Sequence, residues 1–326
     1  MSMTKQAVLV IGASGFIGRR IVAALAATEW ARPLAASRHI ARTELGVEAE
    51  KIALDATDAN SLKRAMARAD AVVSCITGTS RDIVTSGEAL FAAVANTPKA
   101  PRIVYLSSIA AYGSARGSVD ELSPLRGDLG DYSAAKATVE NRATHFPNVV
   151  RLRPGIVYGP RSGWWSERIA QLLMRRRLGD LGFIGQGICN AVHVDDVAAA
   201  ALRAIELPAA AGEAFNLGSP NPPTWNEYFQ RYAQFLGALP LRRISAAGLL
   251  LELNLYGPAL KVAEKLLRGS SPWAERPALR PWLLELCKHD IRMQVGKAEQ
   301  TLGIRWRTLD AGLQETAAWF LSSRPA

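Results

Sequence analysis

Tyr132 and Lys136 stand four residues apart in the stretch Tyr132-Ser133-Ala134-Ala135-Lys136. On a helix that spacing puts both side chains on one face, so a phenol and an ammonium can enter one pocket. An isolated phenol titrates near pH ~10, too high to shuttle protons at neutrality. A neighbouring ammonium favours the phenolate and lowers that pKa, which makes the tyrosine a usable general acid or base. The pair alone is an ordinary pattern, since a core aromatic beside a solvated lysine has the same spacing. Two other stretches give it context. Gly12-Ala13-Ser14-Gly15-Phe16-Ile17-Gly18 can form a turn that receives a dinucleotide, and Val104-Tyr105-Leu106-Ser107-Ser108 can supply a hydroxyl to a substrate oxygen.

Groups so far apart in sequence need a scaffold that gathers them. Val8-Leu9-Val10-Ile11 is a continuous apolar run, the signature of a strand buried on both faces. The glycine stretch follows it, and then Ile17, Ile21 and Leu25 recur at helical spacing. Strand, tight turn and helix in that order are the context in which glycines cradle a pyrophosphate against free N–H groups and the positive end of a helix. Further strands are expected at Pro33–Ser37, Lys51–Asp55, Asp70–Ile76, Arg102–Leu106 and Val149–Arg153, with helical segments such as Ser61–Met66 between them. That alternation predicts an α/β fold, a Rossmann-type doubly wound parallel sheet that binds ligands at the carboxyl ends of its strands. Gly12, Arg38, Asp55, Ile76, Ser108 and Pro154 all fall at or just past such ends.

Beyond Pro160 the alternation loosens, and from Ser219 onward Pro220, Pro222 and Pro223 interrupt a mostly helical sequence. We expect residues 1–160 plus 191–218 to form the dinucleotide-binding domain, and 161–190 plus 219–326 a smaller, mainly helical substrate domain. The composition is that of a soluble protein, with 49% hydrophobic and 21% charged residues and no apolar run near the ~20 residues a membrane span needs. The first residues carry no cleavable leader pattern. Cys75, Cys189 and Cys287 have neither disulfide nor metal spacing, which suits a reducing cytoplasm. The four histidines are isolated too, so no metal site is expected. The net charge of +10 comes without any nucleic-acid-binding signature and favours only anionic ligands. Arg175-Arg176-Arg177 reads as a solvated helix end.

Together these stretches resemble the extended short-chain dehydrogenase/reductase superfamily, the NAD(P)-dependent branch that holds nucleotide-sugar epimerases and dehydratases, 3β-hydroxysteroid dehydrogenases and dihydroflavonol reductases. The matching segments are Gly12 to Gly18, Leu106 to Gly113, Tyr132 to Lys136, Arg153 to Pro160 and His193 to Ala198. The likeness covers the first two-thirds of the chain well and the last third in outline, where Lys297-Ala298-Glu299, Leu302-Gly303 and Trp319 resemble the steroid-dehydrogenase tail. It implies that Ser108 and Tyr132 hydrogen-bond the substrate oxygen, and that Lys136 holds the nicotinamide ribose. It implies a cofactor site formed by Gly12, Ser14, Gly15, Phe16, Ile17, Gly18, Ser37, Arg38, Asp55, Ala56, Cys75, Ile76, Thr77, Tyr132, Lys136, Pro154, Gly155 and Ile156, with Asp55 meeting the adenine. His193 and Asp196 become structural, at a strand end and a helix start. A homodimer is the family expectation.

The second strand ends in Ser37-Arg38, with no acid before Glu44 to mark a ribose 2′-hydroxyl. A guanidinium suits a 2′-phosphate, so NADP is expected, with Arg19, Arg42 and Ser14 assisting and NAD the alternative. Nucleotide-sugar members usually carry Asn where this chain has Ile156, and several carry Arg where it has Cys189. Losing those partners disfavours a diphosphate substrate, and Trp164, Trp165 and the Leu249–Tyr256 stretch favour an apolar ketone. Two alternatives stay open: a nucleotide-sugar 4-epimerase or 4-ketoreductase, and a catalytically silent NADP sensor. Lys261, Lys265 and Arg268 can also form a basic amphipathic face for a membrane surface.

Overall fold

In the computed structural model the first apolar run becomes β1 (Gln6–Ile11), with Val8, Leu9 and Val10 wholly buried. Residues 5–97, 100–245, 248–249 and 279–323 are described. The chain continues through α1 (Phe16–Ala26), β2 (Ala31–Ser37), β3 (Glu50–Ala53), α2 (Ala59–Met66), β4 (Ala71–Ser74) and α3 (Ser80–Ala95). Then come β5 (Arg102–Leu106), the short β6 (Gly117–Val119), α4 (Gly130–Ala143) and β7 (Val149–Pro154). Later elements are β8 (Ile156–Tyr158), α5 (Arg168–Met174), β9 (Ala191–His193), α6 (Val194–Glu206), β10 (Ala214–Leu217) and α7 (Trp225–Phe235).

Seven strands form one sheet in the order β10-β7-β5-β4-β1-β2-β3, and every neighbouring pair is parallel. This is the doubly wound α/β architecture expected. Strand order reverses beside β1, which lies between β4 and β2, so the chain leaves β1 to one side and later returns on the other. A crevice opens above such a switch point, outside the carboxyl ends of the strands. Strands buried on both faces need near-continuous apolar sequence, and β4 (Ala71-Val72-Val73-Ser74) is buried at all four positions.

Two strands are shorter than their apolar runs. β4 stops at Ser74, although Cys75 N–H still donates to the Ile11 carbonyl of β1 (2.9 Å). β3 stops at Ala53, where Leu54 still donates to Ser37 O (3.2 Å) but Asp55 folds back to accept from Thr57 N–H (3.0 Å). Helix placement follows local chemistry. A capping box between Thr79 and Asp82 starts α3. A Cβ built on Gly87 of α3 would crowd the Val139 side chain, so that glycine lets α4 pack closely.

By contacts the chain forms two compact units: Met1–Gly155 with Val194–Pro220 and Met293–Trp306, and Ile156–His193 with Asn221–Arg292 and Arg307–Ala326. The first contains the seven-stranded sheet. The second pairs β8 with β9 in parallel and packs α5, α7 and helices Pro281–Lys288 and Leu309–Ser322 around Tyr158, Trp225, Tyr228, Phe229 and Tyr232. Its tyrosines are satisfied as well as buried, with Tyr228 OH donating to Trp165 O (3.1 Å) and Tyr232 OH to Ser166 O (3.2 Å). No helix among the described residues is long and apolar enough to cross a membrane. Lys261, Lys265, Arg268 and all but Leu249 of the Leu249–Tyr256 stretch lie outside the described residues.

Candidate active site

Ser108, Tyr132 and Lys136 meet in the first unit. β5 delivers the segment 107–112, in which Ser108 caps a short 3-10 turn and its Oγ accepts from Ala110 N–H (3.1 Å). α4 carries the other two side chains on one face. Ser133, between them, ties helix to segment by donating to Ala110 O (2.6 Å). The hydroxyls of Ser108 and Thr77 lie near that of Tyr132 and favour its phenolate. Lys136, only 2% exposed, donates from Nζ to the Leu106 carbonyl (2.9 Å). Its ammonium lies 5.4 Å from the Tyr105 ring centroid and 5.9 Å from that of Tyr132.

The electrostatics differ from the expectation that an ammonium holds the phenol pKa down. Desolvation pushes Tyr132 above the ordinary tyrosine value, and the Ser108 and Thr77 hydroxyls only partly oppose it. The residue remains 41% exposed. Burial drives the Lys136 ammonium down to about 8, against the pull of Glu140 and, less strongly, of Cys75. Burial also raises the Cys75 thiol to about 12, so it stays neutral. The site thus brings together a protonated phenol, two nearby hydroxyls and a lysine whose pKa burial brings down to about 8. Such a group can give a proton to an oxygen and stabilise the charge developing there.

The glycine turn lies at the reversal of the sheet. Gly12 has φ +82°, and a Cβ there would come 3.2 Å from the Cys75 backbone at the end of β4. A Cβ on Gly18 would overlap the Gly12 carbonyl oxygen, so only glycine lets α1 start this close to β1. The N-terminus of α1 has no side-chain cap and no acid in its first turn. Its dipole end and N–H groups are therefore left for an anion. At the end of β2 the buried Ser37 Oγ has no hydrogen-bond partner among the described residues, an orphan that a bound group would satisfy. Arg38 is exposed just beyond, and its charge reaches the carboxylates of Asp55 and Asp82. These residues fit a dinucleotide with its pyrophosphate at Gly12–Gly18.

Ala56, Ile76 and Thr77 follow the ends of β3 and β4, while Pro154 ends β7 and Gly155 N–H donates to Leu217 O (2.9 Å). Ile156 falls in the second unit as the first residue of β8, and both it and Cys189 are buried in that unit's apolar core. His193 ends β9 with its ring edge-on to Tyr158 at 5.3 Å, and Asp196 lies in the first turn of α6. Ser107 is taken up by Glu140, to which its Oγ donates. Sequence reasoning overlooked Glu140, although it repeats the four-residue step from Tyr132 through Lys136. It also left Thr77 as cofactor lining, without its place near the Tyr132 hydroxyl.

Residues 8–218 match the family model described as NAD dependent epimerase/dehydratase family. A 3-diazoavenalumate denitrifying reductase of a Streptomyces species is 30% identical over 267 residues, covering 74% of this chain and 84% of that protein. Among solved structures, the UDP-glucose 4-epimerase of Thermotoga maritima, with UDP-glucose, superposes with a TM-score of 0.72 at 18% identity, covering 97% of this chain and 99% of that one. The dTDP-glucose 4,6-dehydratase of Bacillus anthracis, in complex with NAD, gives 0.69 at 18% identity, covering 98% and 97%. At such identities these two establish the shared fold.

Proposed function

Because this chain belongs to the NAD dependent epimerase/dehydratase family, and so is an NAD(P)-dependent enzyme of the extended short-chain dehydrogenase/reductase type, we propose that it reduces the ketone of a moderately apolar small molecule with NADPH, or oxidises the corresponding secondary alcohol. The observation that carries this reading is the convergence of the Ser108, Tyr132 and Lys136 side chains beside the glycine turn. The bound nicotinamide supplies or accepts the hydride. Tyr132, protonated because burial raises its pKa, donates the proton to the carbonyl oxygen. Ser108 gives that oxygen a second hydrogen bond as negative charge develops on it. The buried Lys136 ammonium stabilises the phenolate left behind and, on the family pattern, holds the ribose. In the oxidation direction the same groups take the proton back.

Net reduction is favoured over epimerisation by two observations. The 30% identical relative is named a reductase. Ile156 and Cys189, where nucleotide-sugar members place polar partners, are buried at 7% and 0% exposure among apolar side chains and offer a phosphate nothing. Trp164 and Trp282, 55% and 44% exposed, sit edge to face at 5.9 Å and present indole surface suited to an apolar ligand. The structural likeness to nucleotide-sugar enzymes favours the second reading, a 4-epimerase acting on a UDP- or dTDP-sugar. That enzyme would keep its NAD through turnover and consume none. Stoichiometric oxidation of free NADPH by a ketone panel decides between the two.

NADP preference is assigned to Arg38, supported by its place just past β2 and the absence of an acid there. Charge-assisted bonds to a 2′-phosphate are worth about 1.5–3 kcal/mol, so NADPH is expected to bind at least about tenfold tighter than NADH. Arg38→Ser should bring the two affinities together, read by quenching of tryptophan emission on titration. A wild-type preference for NADH, or a ratio unmoved by the substitution, overturns the assignment.

A further inference from the structure

Tyr132, Lys136 and Glu140 follow one another at four-residue steps on α4, so one helix face presents phenol, ammonium and carboxylate in succession. Glu140 has no exposed surface, and its two oxygens serve different elements. One accepts from Ser107 Oγ, and the other accepts from Arg153 Nε (2.6 Å), with Arg151 Nε at 4.0 Å. Arg153 donates onward from Nη1 to Tyr112 OH (2.7 Å) and to the Glu121 carbonyl (3.1 Å). The single proton of the Tyr112 hydroxyl has two acceptors within reach, Asp120 O (2.8 Å) and Asn216 Oδ1 (2.7 Å). Ser107 and Tyr112 bound the short segment that carries Ser108. One carboxylate therefore holds both ends of it, the first directly and the last through Arg153. Buried ion pairs often contribute little net stability compared with hydrocarbon of the same volume, so this one calls for a role besides adhesion.

We propose that Glu140 is the positioning residue of this site: with Arg153 it clamps both ends of the Ser108 segment, and it places a carboxyl group one helical turn from Lys136. The inference rests on the catalytic reading of Ser108, Tyr132 and Lys136 given above. The groups facing Lys136 are Cys75 after β4, Tyr105 on β5, and Tyr132 and Glu140 on its own helix. Those facing Glu140 are Ser107, the two arginines of β7, Tyr105 on β5 and Tyr112. Desolvation lowers the Lys136 pKa and Glu140 is the largest opposing influence. Without that anion, and with both arginines left uncompensated, the ammonium loses its proton at lower pH.

The chain has few lysines, so Lys136 can be followed directly by NMR with 13C-labelled lysine, its signal assigned by its loss in Lys136→Met. Glu140→Gln should move its titration down by about one pH unit or more. Glu140→Asp should restore most of it. Arg153→Met, which removes the cation and leaves the anion, should move it up, and it serves as the test if Glu140→Gln does not fold. Ser107→Ala should leave the titration in place while speeding amide exchange across 107–112 about tenfold, the loss of one hydrogen bond to a charged group. A merely structural pair shifts no titration. Lys136 titrating at the wild-type pH in the Glu140 and Arg153 variants overturns the electrostatic half, and unchanged exchange in Ser107→Ala overturns the clamp. Failure of the catalytic reading is a separate outcome, seen as full activity in Tyr132→Phe whatever the lysine does.

Discussion

Tyr132→Phe is expected to cut the rate constant of ketone reduction by about 10²–10⁴-fold, the usual worth of a positioned general acid. The substitution removes one oxygen and keeps the ring, so the 5.9 Å contact between Lys136 and the ring face survives, as does the bond from Lys136 to Leu106 O. Dinucleotide affinity should stay near the wild-type value. That separation matters, because a lost substrate oxygen partner lowers kcat and leaves cofactor binding alone. Ser108 Oγ keeps its backbone donor, Ala110 N–H, and Thr77 is exposed to solvent, so the fold should hold. NADPH consumption with a panel of aryl and alkyl ketones reads the effect. Retained wild-type turnover would remove Tyr132 from the chemistry.

Gly18→Ala carries the second large effect, and it acts on the cofactor side. The new Cβ would overlap the Gly12 carbonyl oxygen, which is backbone and cannot swing aside. Either α1 backs away from β1 or the turn opens, at a cost of about 1–3 kcal/mol in overpacking. Both responses spoil the alignment of the uncapped helix start with the turn, so dinucleotide affinity should fall at least about tenfold, and the melting temperature with it. Gly163 provides a control, because a Cβ there meets no neighbouring atom. Isothermal titration of NADPH into both variants makes the comparison. Equal affinity for Gly18→Ala and wild type would place the pyrophosphate elsewhere.

Much of this was legible in the sequence because the informative patterns are local. An apolar run followed by Gly12, Gly15 and Gly18 is a statement about one turn, and the turn folds as read. The Tyr132–Lys136 spacing states which helix face the two share, and α4 obeys it. What stayed hidden depends on partners distant along the chain. Glu140 meets Arg153 and Ser107 only because β7 pairs with β5, and Tyr112 meets Asn216 only because β10 adds to the same edge. The sign of the Tyr132 shift was hidden for a related reason. Spacing reveals that an ammonium is near, but desolvation raises the phenol with only the Ser108 and Thr77 hydroxyls opposing it, while Lys136 Nζ donates to the Leu106 carbonyl. Strand ends differ from the expectation by one or two residues at β3 and β4, because hydrophobicity continues where the backbone has already turned out of the sheet.

The central claim is that one nicotinamide dinucleotide lies along the carboxyl edge of this sheet, from the glycine turn to the Ser108–Tyr132–Lys136 cluster. A crystal structure of the full chain with NADP+ measures that most directly. The account predicts the pyrophosphate on the N–H groups at the start of α1, the 2′-phosphate against Ser37 and Arg38, and the nicotinamide ring in contact with Tyr132. A pyrophosphate away from residues 12–18, or the hydroxyls of Ser108 and Tyr132 turned away from the ring and from each other, would contradict it.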